Sequence, residues 1–448
     1  MVGSQKKPIS SRKDEDMGEY LFYDSFGKPD STVDLAKGET NLNPWEYASA
    51  GTATTTWGIQ DRQAYVVSTT SVGTRSVAVQ EVYEADCVVE VNLKTLGVGV
   101  GLVLRYKDID NFIGCNISST YLSLYKRVNG VYTLIKDFSP TTELGKQFGD
   151  CKLSVVLKGG RIEVYVDGYI MMKRWDTFNK DYTKHGIFST GESLNTRWDN
   201  FCIRKGSEVP FSIKENFETN LSSWYWSKES AEQSYSQTFD TTIKKSGSKS
   251  LRMELRKTDP DVSGSKRCEI TLRPEEPLEE HWYGVSIYLP ASGDDEYTAD
   301  PADEILIQWH NTPDGGEEWT SPPIALYTRN DKYLISQRWD EGRYSTNAIM
   351  AQNGTALMTE IGSFTNDKGK WVDWMFHIKW GWNEDQNPIT EVYKDGVLVY
   401  ENNGVPNVTN DRFGVYPKLG IYKWTWKIAD SGSTTTKRVV YYDNYFIK

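Results

Sequence analysis

The chain has 448 residues, a net charge of −11 and 13% aromatic residues, among them 16 Trp and 27 Tyr. The acidic balance disfavours a nucleic-acid binder, which is normally basic, yet a local cationic cleft on such a surface is enough to hold an anionic substrate. No stretch approaches about 18 uncharged apolar residues, so no transmembrane helix is expected. Strand-forming Val, Ile, Thr, Tyr and Trp are frequent and helical heptads are scarce, which predicts an all-β chain with two large domains.

The first 18 residues are polar and charged and lack the apolar centre of a signal peptide. They are expected to form a flexible leader, on a protein that works outside the cell or as part of a virion. A first domain is expected over 19–206. It opens with Leu21-Phe22-Tyr23-Asp24-Ser25-Phe26 and carries Ile162 to Asp167-Gly168, a strand running into an Asp-Gly turn. It closes with Trp198-Asp199-Asn200-Phe201-Cys202-Ile203. A linker rich in Gly, Ser, Glu and Pro follows at about 205–210. The second domain, over 210–448, repeats the same markers: Ile213 to Phe217, Thr390 to Asp395-Gly396, and Tyr442-Asp443-Asn444-Tyr445-Phe446-Ile447. The five cysteines (Cys87, Cys115, Cys151, Cys202 and Cys268) are odd in number, and none lies in a CxxC pair. They read as buried small apolar residues, with neither a zinc site nor a disulfide framework indicated.

Three strings of the second domain carry chemistry: Arg267-Cys268-Glu269, Gln308-Trp309-His310 and Lys418-Leu419-Gly420-Ile421-Tyr422. Alternate residues of a strand face the same way. Arg267 therefore goes with Glu269, Gln308 with His310, and Lys418 with Tyr422, while Trp309 points to the core. His185, His281 and His377 have no comparable company and read as structural. Arg338, in the string Gln337 to Tyr344, is a candidate for binding sugar acids; the alternative is an exposed hairpin.

These strings resemble the jelly-roll polysaccharide lyases of the glucuronan, heparin-lyase-I and alginate-lyase-like families. Those share an Arg-x-Glu strand, a Gln-x-His strand and a late Tyr-x-Lys-x-Gly-x-Tyr strand, here Tyr416 to Tyr422. Trp282 to Pro290 and Gly369 to Trp374 look like the glucuronan and heparin-lyase side of the group. Cys268 and Leu419 depart from the alginate pattern. The first domain is similar at fold level to concanavalin-A-like sandwiches, so the expected architecture is two tandem concanavalin-A-like β-jelly-rolls. The resemblance implies β-elimination on an anionic, uronic-acid polysaccharide. Tyr422 and His310 would move protons, Gln308 and Arg267 would stabilise charge, and Lys418, Glu269 and Arg338 would bind. No cofactor is required. A structural calcium is the one metal that the fold suggests, near Asp24 with Asp199 and near Glu215 with Asp443.

Two rivals stand beside this. Glu84, Asp86 and Glu90 share one parity and approximate the carboxylate pattern of a jelly-roll glycoside hydrolase. A non-catalytic tandem lectin or tail-associated adhesin would hold glycan without cutting it.

Overall fold

The computed structural model describes residues 20–40, 43–70, 73–144, 146–190, 194–206, 213–218, 226–272, 274–275 and 277–448. The expected leader and the linker residues 207–210 lie outside them. The chain divides into two compact units, Met1–Pro210 and Phe211–Lys448. Each unit, taken by itself, is a pair of antiparallel sheets with eight and seven strands.

The repeat read from the sequence extends to every strand. If strands are counted from the first in each unit, the larger sheet runs 13-12-11-6-15-4-3 in both, with strand 1 beside strand 15. The smaller sheet runs 10-9-8-7-14-5-2 in both. The chain is thus two jelly-roll sandwiches of one topology.

Period-two patterning places the core. In Trp371–Lys379, Val372, Trp374, Phe376 and Ile378 are buried and the residues between them are not. Trp309 is fully buried between the sheets of the second unit, 5.0 Å from the Tyr283 ring and 4.7 Å from that of Phe376. Both Asp-Gly turns form as expected. Asp167-Gly168 and Asp395-Gly396 each take two successive positive φ angles, which a two-residue hairpin of the right twist demands. All five cysteines are buried and free.

The carboxylates named for calcium are committed elsewhere. Asp24 accepts from the Phe26 N–H, the Trp45 indole and Lys28. Glu215 accepts from the Phe217 N–H and the Trp226 indole. Asp443 accepts from the backbone of Lys245, Ser246 and Asn444, and Asp199 lies by Gln63 and Lys94. No group of three or more His, Cys, Asp or Glu that would hold a metal exists among the described residues. These carboxylates bind the N–H and ammonium donors of the fold, and the set does not fit calcium, which prefers six to eight oxygens.

Candidate active site

The smaller sheet of the second unit orders its strands Ser227–Ser230, Arg267–Thr271, Tyr416–Tyr422, Asp300–His310, Ile324–Asn330, Lys332–Arg338 and Ala356–Ser363. The three strings read from the sequence are therefore neighbours. Arg267 pairs across with Tyr422, Glu269 with Gly420, and Gln308 with Lys418. His310 pairs with Tyr416, six positions from Tyr422. His310 and Tyr422 therefore stand at different points along one face.

A cavity of about 560 Å³ opens on this face. Its lining includes Glu229, Arg267, His310, Trp319, Tyr416, Lys418, Tyr422 and Trp424. The Arg267 guanidinium lies 4.5 Å from the Tyr422 ring centre, and Trp424 packs on Tyr422 at 5.2 Å. At the other end Tyr416 stacks on His310 at 5.7 Å, and Trp319, 62% exposed, meets the imidazole edge-on at 5.4 Å. The loop bearing Trp319 is tied down by Asn311, which donates to Asp411 at 2.9 Å and accepts from Thr320 at 3.1 Å.

Gly420 lets its strand lie close against the backbone of Cys268 and Glu269. It sits at φ 135°, and a Cβ there would meet the Cys268 carbonyl oxygen at 2.2 Å. Gly420→Ala is expected to lower stability by at least about 1–3 kcal/mol from backbone strain alone. Urea unfolding checks this, and an unchanged midpoint would contradict it.

The electrostatics are balanced. Lys418 and Arg267 both donate to Oε2 of Glu229, at 2.6 and 2.8 Å, and both lie within 4 Å of Glu269. Burial pushes the Glu229 carboxyl up, but Lys418 and Arg267 outweigh it and hold the group below the usual carboxylate range. Burial, with Lys418 and Arg267 adding to it against the bond to Asn311, drives His310 down to about 4. The imidazole is therefore neutral at pH 7. Its Nδ1 lies 2.9 Å from the Asn311 carbonyl oxygen, which can only accept, so Nδ1 carries the proton and Nε2 the lone pair.

Some sequence assignments shift. Gln308 and Glu269 are both 1% exposed and neither lines the cavity. The Gln308 amide N–H donates to Glu269, which fixes the amide and leaves its buried oxygen without a partner. Glu269 in turn lies within 4 Å of both cations. Arg338 is also absent from the lining. It stands beside Tyr327, which lines the cavity, while its neighbour Gln337 points away to Tyr400 and to the carbonyls of Val405 and Pro406. His377, read as structural, lies between Glu280 and Glu391 at 2.9 and 3.0 Å and stacks on Trp282, on the larger sheet. Glu229, Trp319 and Trp424 were not anticipated. Ser227–Ser230 has no apolar alternation to mark it as a strand, although a Trp in the polar stretch after His310 was a usable signal.

The first unit has the same sheet without the same chemistry. Its strand Lys184–Ser189 pairs Phe188 with Val77 and Gly186 with Val79, where the second unit pairs Tyr422 with Arg267 and Gly420 with Glu269. Phe188, Val77 and Val79 belong to an apolar cluster with Val103, Phe112 and Tyr125. Of the ionic groups only the outer pair has a counterpart, Lys184 with Glu46 at 2.7 Å. Glu90, from the hydrolase pattern, is buried and bound by Lys152, Arg204 and Ser154, and Asp86 caps the Gly159 N–H.

Two jelly-roll sandwiches make up the chain, and one opens a cavity of cations and aromatics on its smaller sheet. A family model described as polysaccharide lyase matches residues 217–445, just over half of the chain, and the chain belongs to that family. Among solved structures it is similar to an endo-β-1,4-glucuronan lyase from the fungus Trichoderma reesei, at 19% identity over 52% of this chain and 94% of that one, with a TM-score of 0.42. It is similar to alginate lyase A1-II′, a member of polysaccharide lyase family 7, at 12% identity over 50% and 94%, with a TM-score of 0.35. It is also similar to carbohydrate binding module CBM66 from Bacillus subtilis, at 15% identity over 36% and 92%, with a TM-score of 0.25. No curated protein matches.

Proposed function

We propose that the second unit cuts a uronic-acid polysaccharide by β-elimination, and that the first unit is a non-catalytic binding or spacer module. The observation that carries this is the cavity itself, where two cations, a neutral imidazole and a phenol share one face. Elimination removes the proton alpha to the uronate carboxylate, at C5, and expels the 4-linked oxygen. Charge grows on the carboxylate as the C–H bond breaks. Arg267 and Lys418 are the donors that would meet it, and charge-assisted bonds of this kind are the stronger class. His310 Nε2 accepts the C5 proton. Tyr422, on the same cavity face, delivers a proton to the leaving oxygen. Trp319 and Trp424 offer faces to neighbouring sugars. An external polymer, met by a secreted or virion-borne enzyme, is the setting that this reading implies.

The test is a panel of glucuronan, alginate, heparin-type and pectic polymers, followed by ultraviolet absorbance of the unsaturated uronate. Rising absorbance on one of them supports the reading. A flat trace with polymer still retained on the protein favours the tandem lectin or adhesin.

The pH profile follows from His310. A base must be unprotonated, and burial lowers this imidazole to about 4. With respect to this group kcat/KM is level above about pH 4 and falls about tenfold per unit below it. An acid limb centred near 6.5, where an unperturbed imidazole titrates, would remove His310 from the role.

A further inference from the structure

We propose that Glu229 holds the place of the substrate carboxylate on Arg267 and Lys418, and is displaced when an acidic sugar binds. The inference rests on the uronate reading of this cavity and adds an internal competitor to it. A single oxygen, Glu229 Oε2, takes both cations. The Lys418 and Arg267 side chains are only 2% and 11% exposed, so they have few other directions in which to offer hydrogen bonds. Glu269 below them is 1% exposed and engaged by Gln308, so it stays in place. Glu229 differs on each count. Its side chain is 25% exposed, it lines the cavity, and it comes from a four-residue edge strand with one neighbour.

Charge makes displacement necessary. Arg267 and Lys418 bring two positive charges, and Glu229 and Glu269 bring two negative ones. With His310 neutral, an arriving uronate finds no uncompensated cation. If Glu229 turns outward, its two bonds pass to the incoming carboxylate and the cluster stays balanced. The first unit shows where the device originates in the fold. There the corresponding bridge, Lys184 to Glu46, is a surface pair with side chains 30% and 55% exposed. The second unit encloses the same bridge in a cavity and adds Arg267 to it.

The experiment compares the full-length protein with Glu229→Gln on the polymer that wild type cleaves. Gln keeps an oxygen for Lys418 and Arg267 but removes the competing charge. Glu229→Ala is the second variant, and matched melting temperatures establish that both fold. KM for the acidic polymer is expected to fall at least about tenfold, the scale of one charge-assisted hydrogen bond. No comparable gain is expected on the same polymer after methyl esterification. An unchanged or raised KM overturns the proposal, as does an equal gain on the ester. A wild-type enzyme that cuts nothing in the panel overturns the lyase reading instead. Displacement is then read by calorimetry, with glucuronan oligosaccharides added to Tyr422→Phe and to the Tyr422→Phe, Glu229→Gln pair. Tighter binding to the pair sustains the proposal, and equal or absent binding overturns it.

Discussion

Replacing Tyr422 with Phe is expected to lower kcat/KM by about 10²–10⁴-fold, the range for loss of a positioned proton-transfer group. The substitution removes one oxygen and little else. The ring keeps its place under the Arg267 guanidinium at 4.5 Å and against Trp424 at 5.2 Å. It also keeps its contact with the floor formed by Ile305, Tyr327 and Leu334. Melting temperature and polymer retention should therefore match wild type while turnover collapses. The protein already carries this replacement in its first unit, where Phe188 occupies the corresponding position and Val77 replaces the arginine. Steady-state kinetics on the cleaved polymer check the prediction. Activity within a few-fold of wild type would transfer the leaving-group proton to another residue.

Glu304→Leu is expected to destabilise the second unit by about 3–5 kcal/mol, the range for stranding a buried charge. Glu304 is fully buried and lies between two cations, Lys423 at 3.3 Å and Arg438 at 2.8 Å. It also accepts from the hydroxyls of Tyr297 and Thr328. Asp300 completes the network, 3.3 Å from Lys423 and held by Ser433 and Thr435. Burial raises the Glu304 carboxyl, but Arg438 and Lys423 outweigh it and keep the group ionised. Removing Glu304 leaves two buried cations facing one carboxylate. Lys423 follows Tyr422 directly in the chain, so the same network anchors the end of the strand Tyr416–Tyr422. Urea unfolding measures the effect, and a loss below about 1 kcal/mol, typical of an exposed pair, would contradict it.

What the sequence disclosed, and what it withheld, divides along physical lines. Alternation along a strand is local, so Arg267, His310, Lys418 and Tyr422 could be assigned to one face before any strand was paired. The Asp-Gly turns and closing strings were local too, and they revealed the repeat. The neighbours that cross the sheet were not local. Glu229 comes from a polar edge strand with no pattern of its own, 38 residues before Arg267. Nothing in Gln308-Trp309-His310 showed that the amide would be spent on Glu269. The buried network of Asp300, Glu304, Lys423 and Arg438 brings together residues up to 138 apart in the chain. Trp45 and Trp226, which donate to Asp24 and Glu215, are likewise contacts that strand parity does not reveal.

The central claim is that this cavity breaks its substrate by elimination, and mass spectrometry of the cleaved polymer tests it most directly. Elimination adds no water: each cut leaves an unsaturated uronate at the new non-reducing end, and the fragments sum to the mass of the parent chain. That outcome, lost in Tyr422→Phe, is the result expected. Fragments that gain one water per cut would show hydrolysis and contradict the account.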